Sequence, residues 1–129
     1  MRLGSIMASM ALALATLGVP SVAAAHTRVV SSTPAQGATV AQPRVLRLTF
    51  SEALLPPTVA ASVVMTAMPG MDGHSPAAIR NFESAWSNGN KTLTLNLSQP
   101  LRAGTYELRW QGAGADGHRM TGTINFTVS

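Results

Sequence analysis

Apolar and polar residues alternate with period two in four separate segments, and no stretch sustains a helical period. Leu46, Leu48 and Phe50 interleave with Arg47, Thr49 and Ser51; Leu93, Leu95 and Leu97 with Thr94 and Asn96. Tyr106, Leu108 and Trp110 interleave with Glu107 and Arg109; Ile124, Phe126 and Val128 with Asn125 and Thr127. Successive side chains of a strand point to opposite faces, so each run reads as a half-buried β-strand. The β-branched stretch Val59–Thr66 and the shorter Thr27–Ser31 add two more. Turn formers lie between them: Thr33-Pro34 with Gly37, Pro56-Pro57, Pro69-Gly70, Asn88-Gly89-Asn90 and Ala103-Gly104. Six or seven short strands in about a hundred residues predict an all-β, immunoglobulin-like Greek-key sandwich or barrel of about seven strands. An up-and-down barrel is the alternative, and the irregular strand spacing fits it less well. Residues Met68–Pro76, rich in Gly and Pro, read as a long loop.

The 129-residue chain has no cysteine, which excludes a disulfide framework, a thiolate metal site and thiol catalysis. Its nine basic residues, eight Arg and the single Lys91, are scattered, and aromatics make up only 5%. The basic stripe that nucleic-acid binding needs is missing. Ahead of the strands lies a different kind of segment. Met1-Arg2 is followed by the uncharged run Ile6–Val19, then Pro20-Ser21 and the small residues Val22-Ala23-Ala24-Ala25. A basic start, an apolar stretch and a small-residue exit describe a secretory signal peptide, and the run is too short for the ~20 apolar residues of a membrane span. Residues 1–25 are thus expected to be removed, leaving His26 first in a β domain of residues 26–129. Cleavage after Ala24, leaving Ala25 in front, is also compatible with the signal.

Three histidines remain beyond that point: His26, His74 and His118. His118 ends the triplet Asp116-Gly117-His118 in the glycine-rich stretch Gly112–Gly117. Two side chains one residue apart leave an extended backbone on the same side, so a carboxylate and an imidazole are expected together. Taken alone, the pair reads more readily as a surface turn. His26 at a free amino terminus adds an amine and a ring nitrogen from one residue. Together with Asp116 and His118 it makes a nitrogen- and oxygen-rich set, of the type that suits Cu(II). Glu52, in Phe50-Ser51-Glu52, is either a solvated strand end or a further carboxylate near that set.

A second, softer set recurs every third residue: Met65, Met68, Met71 and His74. Thioethers select Cu(I), although a lone methionine ordinarily fills a gap in a core. Met65 closes a predicted strand and reads as core, joining such a site only if the strand ends before it. Pro69-Gly70 supplies a bend that could gather Met68 and Met71. Trp86 and Trp110 read as core or strand residues. Esterase-type G-x-S-x-G, zinc-protease H-E-x-x-H and P-loop motifs are absent from the sequence.

Four segments together resemble the copper-resistance protein C family. They are Ala25-His26 with Ser31-Ser32-Thr33-Pro34; Leu48-Thr49-Phe50-Ser51-Glu52; Val64 through Met71; and Gly104-Thr105-Tyr106 through Trp110, Asp116-Gly117-His118 and Thr121-Gly122. The resemblance implies a seven-stranded Greek-key domain in the periplasm that holds or passes copper without turning over a substrate. It implies a Cu(II) site from His26, Asp116 and His118 with Glu52 near it, and a Cu(I) site from Met65, Met68, Met71 and His74. Gly73 lengthens the gap from Met71 to the histidine, and Ala77-Ala78 stands where a further methionine occurs in the family. The expected partners are copper ions and, from the resemblance, a membrane copper transporter; the chain is expected to be a monomer that binds no nucleic acid. Two other functions compete. One is a copper-dependent oxidative enzyme built on an N-terminal histidine; the other is a metal-free adhesion or chaperone-like sandwich.

Overall fold

The computed structural model describes residues 27–70 and 75–129. These form nine strands and one short 3-10 turn: β1 (Val29–Thr33), β2 (Thr39–Val40), β3 (Val45–Phe50), the 3-10 turn (Pro56–Thr58), β4 (Ala60–Ala67), β5 (Ala77–Ile79), β6 (Phe82–Ser87), β7 (Thr92–Leu97), β8 (Gly104–Ala113) and β9 (Arg119–Val128). Two sheets result, one ordered β1-β3-β7-β6 and the other β2-β9-β8-β4-β5. Neighbours such as β3 and β7, or β4 and β8, come from distant parts of the chain, which is the connectivity of a Greek-key sandwich. The four alternating runs are β3, β7, β8 and β9, and the β-branched stretch is β4. Beyond the predicted set lie β6 and two short edge strands. One of these, β2, pairs in parallel with the end of β9; the other, β5, pairs antiparallel with β4. No helix among the described residues is long and apolar enough to cross a membrane.

The alternation places Leu46, Leu48 and Phe50 of β3 and Leu93 and Leu95 of β7 in the core, facing Tyr106, Leu108 and Trp110 of β8 and Phe126 of β9. Tyr106, the only tyrosine, is fully buried, stacks on Phe126 with ring centroids 5.5 Å apart, and donates its hydroxyl to the carbonyl of Arg102 at 2.7 Å. This is the tyrosine corner of sandwich folds, in which a buried phenol ties a strand to the backbone just upstream. Burial pushes the phenol's pKa up, against smaller opposing effects of the Arg102 backbone and charge. A folded-state value raised above the unfolded ~10 gives stability that is complete below the unfolded value and is lost as pH climbs through the folded one. Tyrosinate absorbance should therefore rise only above the ordinary tyrosine range and together with unfolding. A reversible phenolate transition at the ordinary value in folded protein would contradict this burial.

The two ends of the sandwich differ. At one end Phe50 packs edge-on against Trp110, with centroids 4.9 Å apart, and lies 6.4 Å from Trp86. From this end emerge three segments bound to one another: residues 51–55 after β3, the β6–β7 turn, and residues 114–118 after β8. Phe50 N–H donates to Lys91, Leu54 N–H to Asn90, and Leu54 bridges to Gly114. The other end carries Met68-Pro69-Gly70 and the start of β8. Ten residues of β8 join the two ends, a span of about 30 Å at ~3.4 Å per residue.

Candidate metal centre

β8 ends at Ala113, and the chain turns through Ala115 and Asp116 before β9 begins at Arg119. Gly117 N–H donates to the Gly114 carbonyl at 3.0 Å, and Gly117 itself has a φ of +79°. Asp116 accepts the His118 main-chain N–H on Oδ1 at 3.0 Å, while its Oδ2 lies 3.1 Å from His118 Nδ1. The expected juxtaposition of carboxylate and imidazole is therefore present, but an extended backbone is not its cause. A side chain capping the N–H two residues ahead folds the segment into an Asx-type turn. The His118 main-chain N–H, and then its ring, hold the Asp116 carboxyl below the usual carboxylate range. Both side chains are open to solvent, with exposures of 71% for His118 and 64% for Asp116. With Nδ1 turned to the carboxylate, Nε2 of His118 is the ring nitrogen left to face an incoming ion.

Two more segments converge on this turn. A β-carbon built on Gly114 would lie 3.5 Å from Thr27 Oγ1, 3.6 Å from Asp116 Oδ1 and 3.7 Å from the Ala53 carbonyl. Thr27, the first described residue, is buried at 7% exposure, and Arg28 exchanges hydrogen bonds with Ser51. The beginning of the described chain, the residue after Glu52 and the Asp116 turn thus meet at one point. Glu52 is exposed one residue from that point. Among the described residues no group of three His, Asp or Glu side chains stands close enough to hold a metal. His26 lies outside the described residues.

Of the softer set, Met71 and His74 also lie outside the described residues. Strand β4 continues to Ala67, so it does not end before Met65; Met65 is a core residue, 5% exposed. Met65 and Met68 nonetheless line one pocket of about 260 Å³ with Ala77, Leu101, Arg102 and Tyr106. In an unbroken strand, residues three apart would face opposite sides. The β4–β8 register slips between Met65, opposite Tyr106, and Ala67, opposite Thr105, leaving Thr66 as one extra residue on β4. Such a bulge resets the alternation and brings the two methionines to one wall.

Thr58 escaped the sequence reading. Its hydroxyl accepts the Ala113 N–H at 2.9 Å and donates to the Leu55 carbonyl at 2.7 Å, while Leu55 N–H donates to the Ala113 carbonyl at 2.9 Å. A lone threonine after Pro56-Pro57 carries no periodic signal, and only the tertiary fold shows what it joins.

The CopC domain family model matches residues 29–129. The chain is similar to copper resistance protein C of Pseudomonas syringae pv. tomato, 44% identical over 85% of this chain and 86% of that protein. It is also similar to copper resistance protein C of Xanthomonas campestris pv. juglandis, 37% identical over 96% of this chain and 95% of that one. Among solved structures, selenomethionine PcoC, a copper resistance protein from Escherichia coli, superposes with a TM-score of 0.73 at 35% identity, covering 79% of this chain and 99% of that one. A family model over residues 29–129 and relatives 37–44% identical over most of the chain agree: this chain belongs to the CopC family.

Proposed function

We propose that the protein is exported through residues 1–25 and binds copper in the periplasm as a carrier or buffer rather than as a catalyst. Its Cu(II) site uses the amine and ring of His26 with Asp116 and His118, and Glu52 stands near it. The observation that carries this reading is the meeting of Thr27, the Ala53 carbonyl and Asp116 around Gly114. His26 is bonded to Thr27, and consecutive Cα atoms are about 3.8 Å apart. A terminal amine and imidazole one residue before Thr27 would therefore be donors available to the Asp116–His118 pair. Nitrogen and carboxylate donors of this kind suit Cu(II). Similarity to proteins named copper resistance protein C favours copper over other divalent ions.

The test is metal analysis of protein taken from the periplasm, followed by Cu(II) titration of His118→Ala. Because His118 is exposed and outside the core, its loss should shift apo stability by no more than ~0.5 kcal/mol while weakening Cu(II) binding about 10-fold or more. A large fall in apo stability with unchanged Cu(II) affinity would make the turn a structural element only.

A Cu(I) site at the opposite end is the finer part of the proposal. Met68, Met71 and His74 would be its donors, with buried Met65 on the wall shared with Met68. Their support is the bulge at Thr66, which turns Met68 to the same pocket as Met65. Replacing Met68 and Met71 together by Leu keeps volume and removes sulfur, so Cu(I) affinity should fall while Cu(II) affinity, about 30 Å away along β8, stays unchanged. Competition titration of the double variant checks this; unchanged Cu(I) affinity would leave the methionines as packing residues.

A further inference from the structure

We infer that Thr58 is a positioning residue for the copper end of the domain, acting on the Asp116–His118 turn through the β3–β4 crossover. The role rests on the Cu(II) reading above. The crossover leaves β3 at Phe50, carries Glu52, and must pass from one sheet to the other before β4 starts at Ala60. Its second half is tied to the end of β8 through Thr58. The Thr58 hydroxyl has a single proton, which goes to the Leu55 carbonyl at 2.7 Å, and its oxygen takes the Ala113 N–H at 2.9 Å. Leu55 N–H closes the ring on the Ala113 carbonyl at 2.9 Å, and Leu54 bridges to Gly114. Val59, the next residue, presses on the same strand: a β-carbon on Gly112 would lie 2.8 Å from its Cγ2.

Each side of this clasp leads to a candidate ligand. One residue past Ala113, the Gly114 carbonyl receives Gly117 N–H and so begins the turn that presents Asp116 and His118. Three residues before Leu55 is Glu52, with the Ala53 carbonyl already beside Gly114. The clasp therefore sets the distance between the acidic crossover and the Asp116–His118 pair. Ala113 is largely buried, so its N–H is poorly placed to find water once the hydroxyl is gone, and an unsatisfied donor there favours movement of the backbone. The sheets themselves are held by the β8–β9 and β4–β8 ladders, which do not pass through Thr58. Movement is then confined to the crossover and the turn, where the ligands sit.

The experiment compares Thr58→Val, which keeps the shape and removes the hydroxyl, with Thr58→Ser, which keeps the hydroxyl and removes the methyl. Both are made in the mature full-length protein, with His118→Ala alongside. Cu(II) affinity, the spin-resonance spectrum of the Cu(II) protein and the apo melting temperature are read for each. Thr58→Val should weaken Cu(II) binding by about 10- to 100-fold, the range for residues that orient metal ligands, and alter the spectrum, while Thr58→Ser retains both parent values. Parent affinity and spectrum in Thr58→Val, with His118→Ala weakened, would overturn the positioning role and leave the Cu(II) site standing. Equal losses in the Val and Ser variants would also overturn it, tracing the effect to the methyl group. If His118→Ala binds Cu(II) as the parent does, the site reading itself falls and the positioning role falls with it. Thr58→Ala, which places no methyl against the Ala113 amide, decides the matter should the valine variant not fold.

Discussion

Mature protein that retains Ala25 ahead of His26 is expected to bind Cu(II) about 100-fold or more weakly than protein beginning at His26, although every side chain is the same. The amine and ring nitrogen of one terminal histidine reach the ion as a unit. Once the ring is bound, the amine acts at high effective concentration, and a tethered second contact of this kind contributes a factor of about 10²–10⁴. A preceding alanine turns that amine into a peptide nitrogen and moves the nearest free amine one residue away. Acid should mimic the loss in the His26-first protein, because an α-amine of ~7.7–8.0 and an imidazole of ~6.5 must both shed protons to bind metal. Asp116 does not contribute to that fall near neutrality. Its carboxyl lies below the usual range through the His118 main-chain N–H and ring, so its share of stability is present above the unfolded value and lost only as pH falls through the folded one. Competition titration and spin-resonance spectra of the two amino termini check the expectation. Equal affinities with identical spectra would remove the terminal amine from the ligand set.

Strands were legible where one face carries uninterrupted apolar residues. In β3 and β7, and over Tyr106–Trp110 of β8 and Ile124–Val128 of β9, the inward positions are Leu, Ile, Val or aromatic, so period two marks each of them. Strand β6, Phe82-Glu83-Ser84-Ala85-Trp86-Ser87, places Ser84 between Phe82 and Trp86 and is largely exposed, so the alternation breaks. Strands β2 and β5 are two and three residues long, too short for any period. They exist because a neighbouring strand offers hydrogen bonds: Gly37 N–H reaches Asn125, and Thr127 N–H reaches Ala38. The candidate site was legible in part. Residue types and spacing pointed to Asp116 and His118, but what brings them together is a turn closed by the carboxylate itself. Likewise the spacing of Met65 and Met68 argued against convergence, and a bulge at Thr66 supplies it. Bulges and side-chain clasps such as that of Thr58 depend on a partner strand, which no local pattern encodes.

Gly122→Ala is expected to lower stability by about 1–3 kcal/mol, the range for forcing a methyl into a filled core. Taken alone, the change should help: glycine within a strand is less favourable than alanine by roughly 0.5–1 kcal/mol because it has more freedom to lose. Packing decides the sign. Gly122 on β9 stands directly opposite Trp110 on β8, and the indole lies over it. A β-carbon on Gly122 would be 2.5 Å from Trp110 Nε1, 2.7 Å from Cε2 and 2.9 Å from Cζ2. The indole has no room to retreat, since it is 6% exposed and packs edge-on against Phe50, itself 1% exposed. At ~4–8 °C per kcal/mol for a domain of this size, a loss near 2 kcal/mol lowers Tm by about 10 °C. Trp110→Phe removes the ring that carries Nε1 and should absorb much of the cost. Gly122→Ala in that background is then expected to cost less than in the parent, a coupling that a double-mutant cycle reads directly. Additive losses in the two backgrounds would mean that the indole does not occupy the space above Gly122.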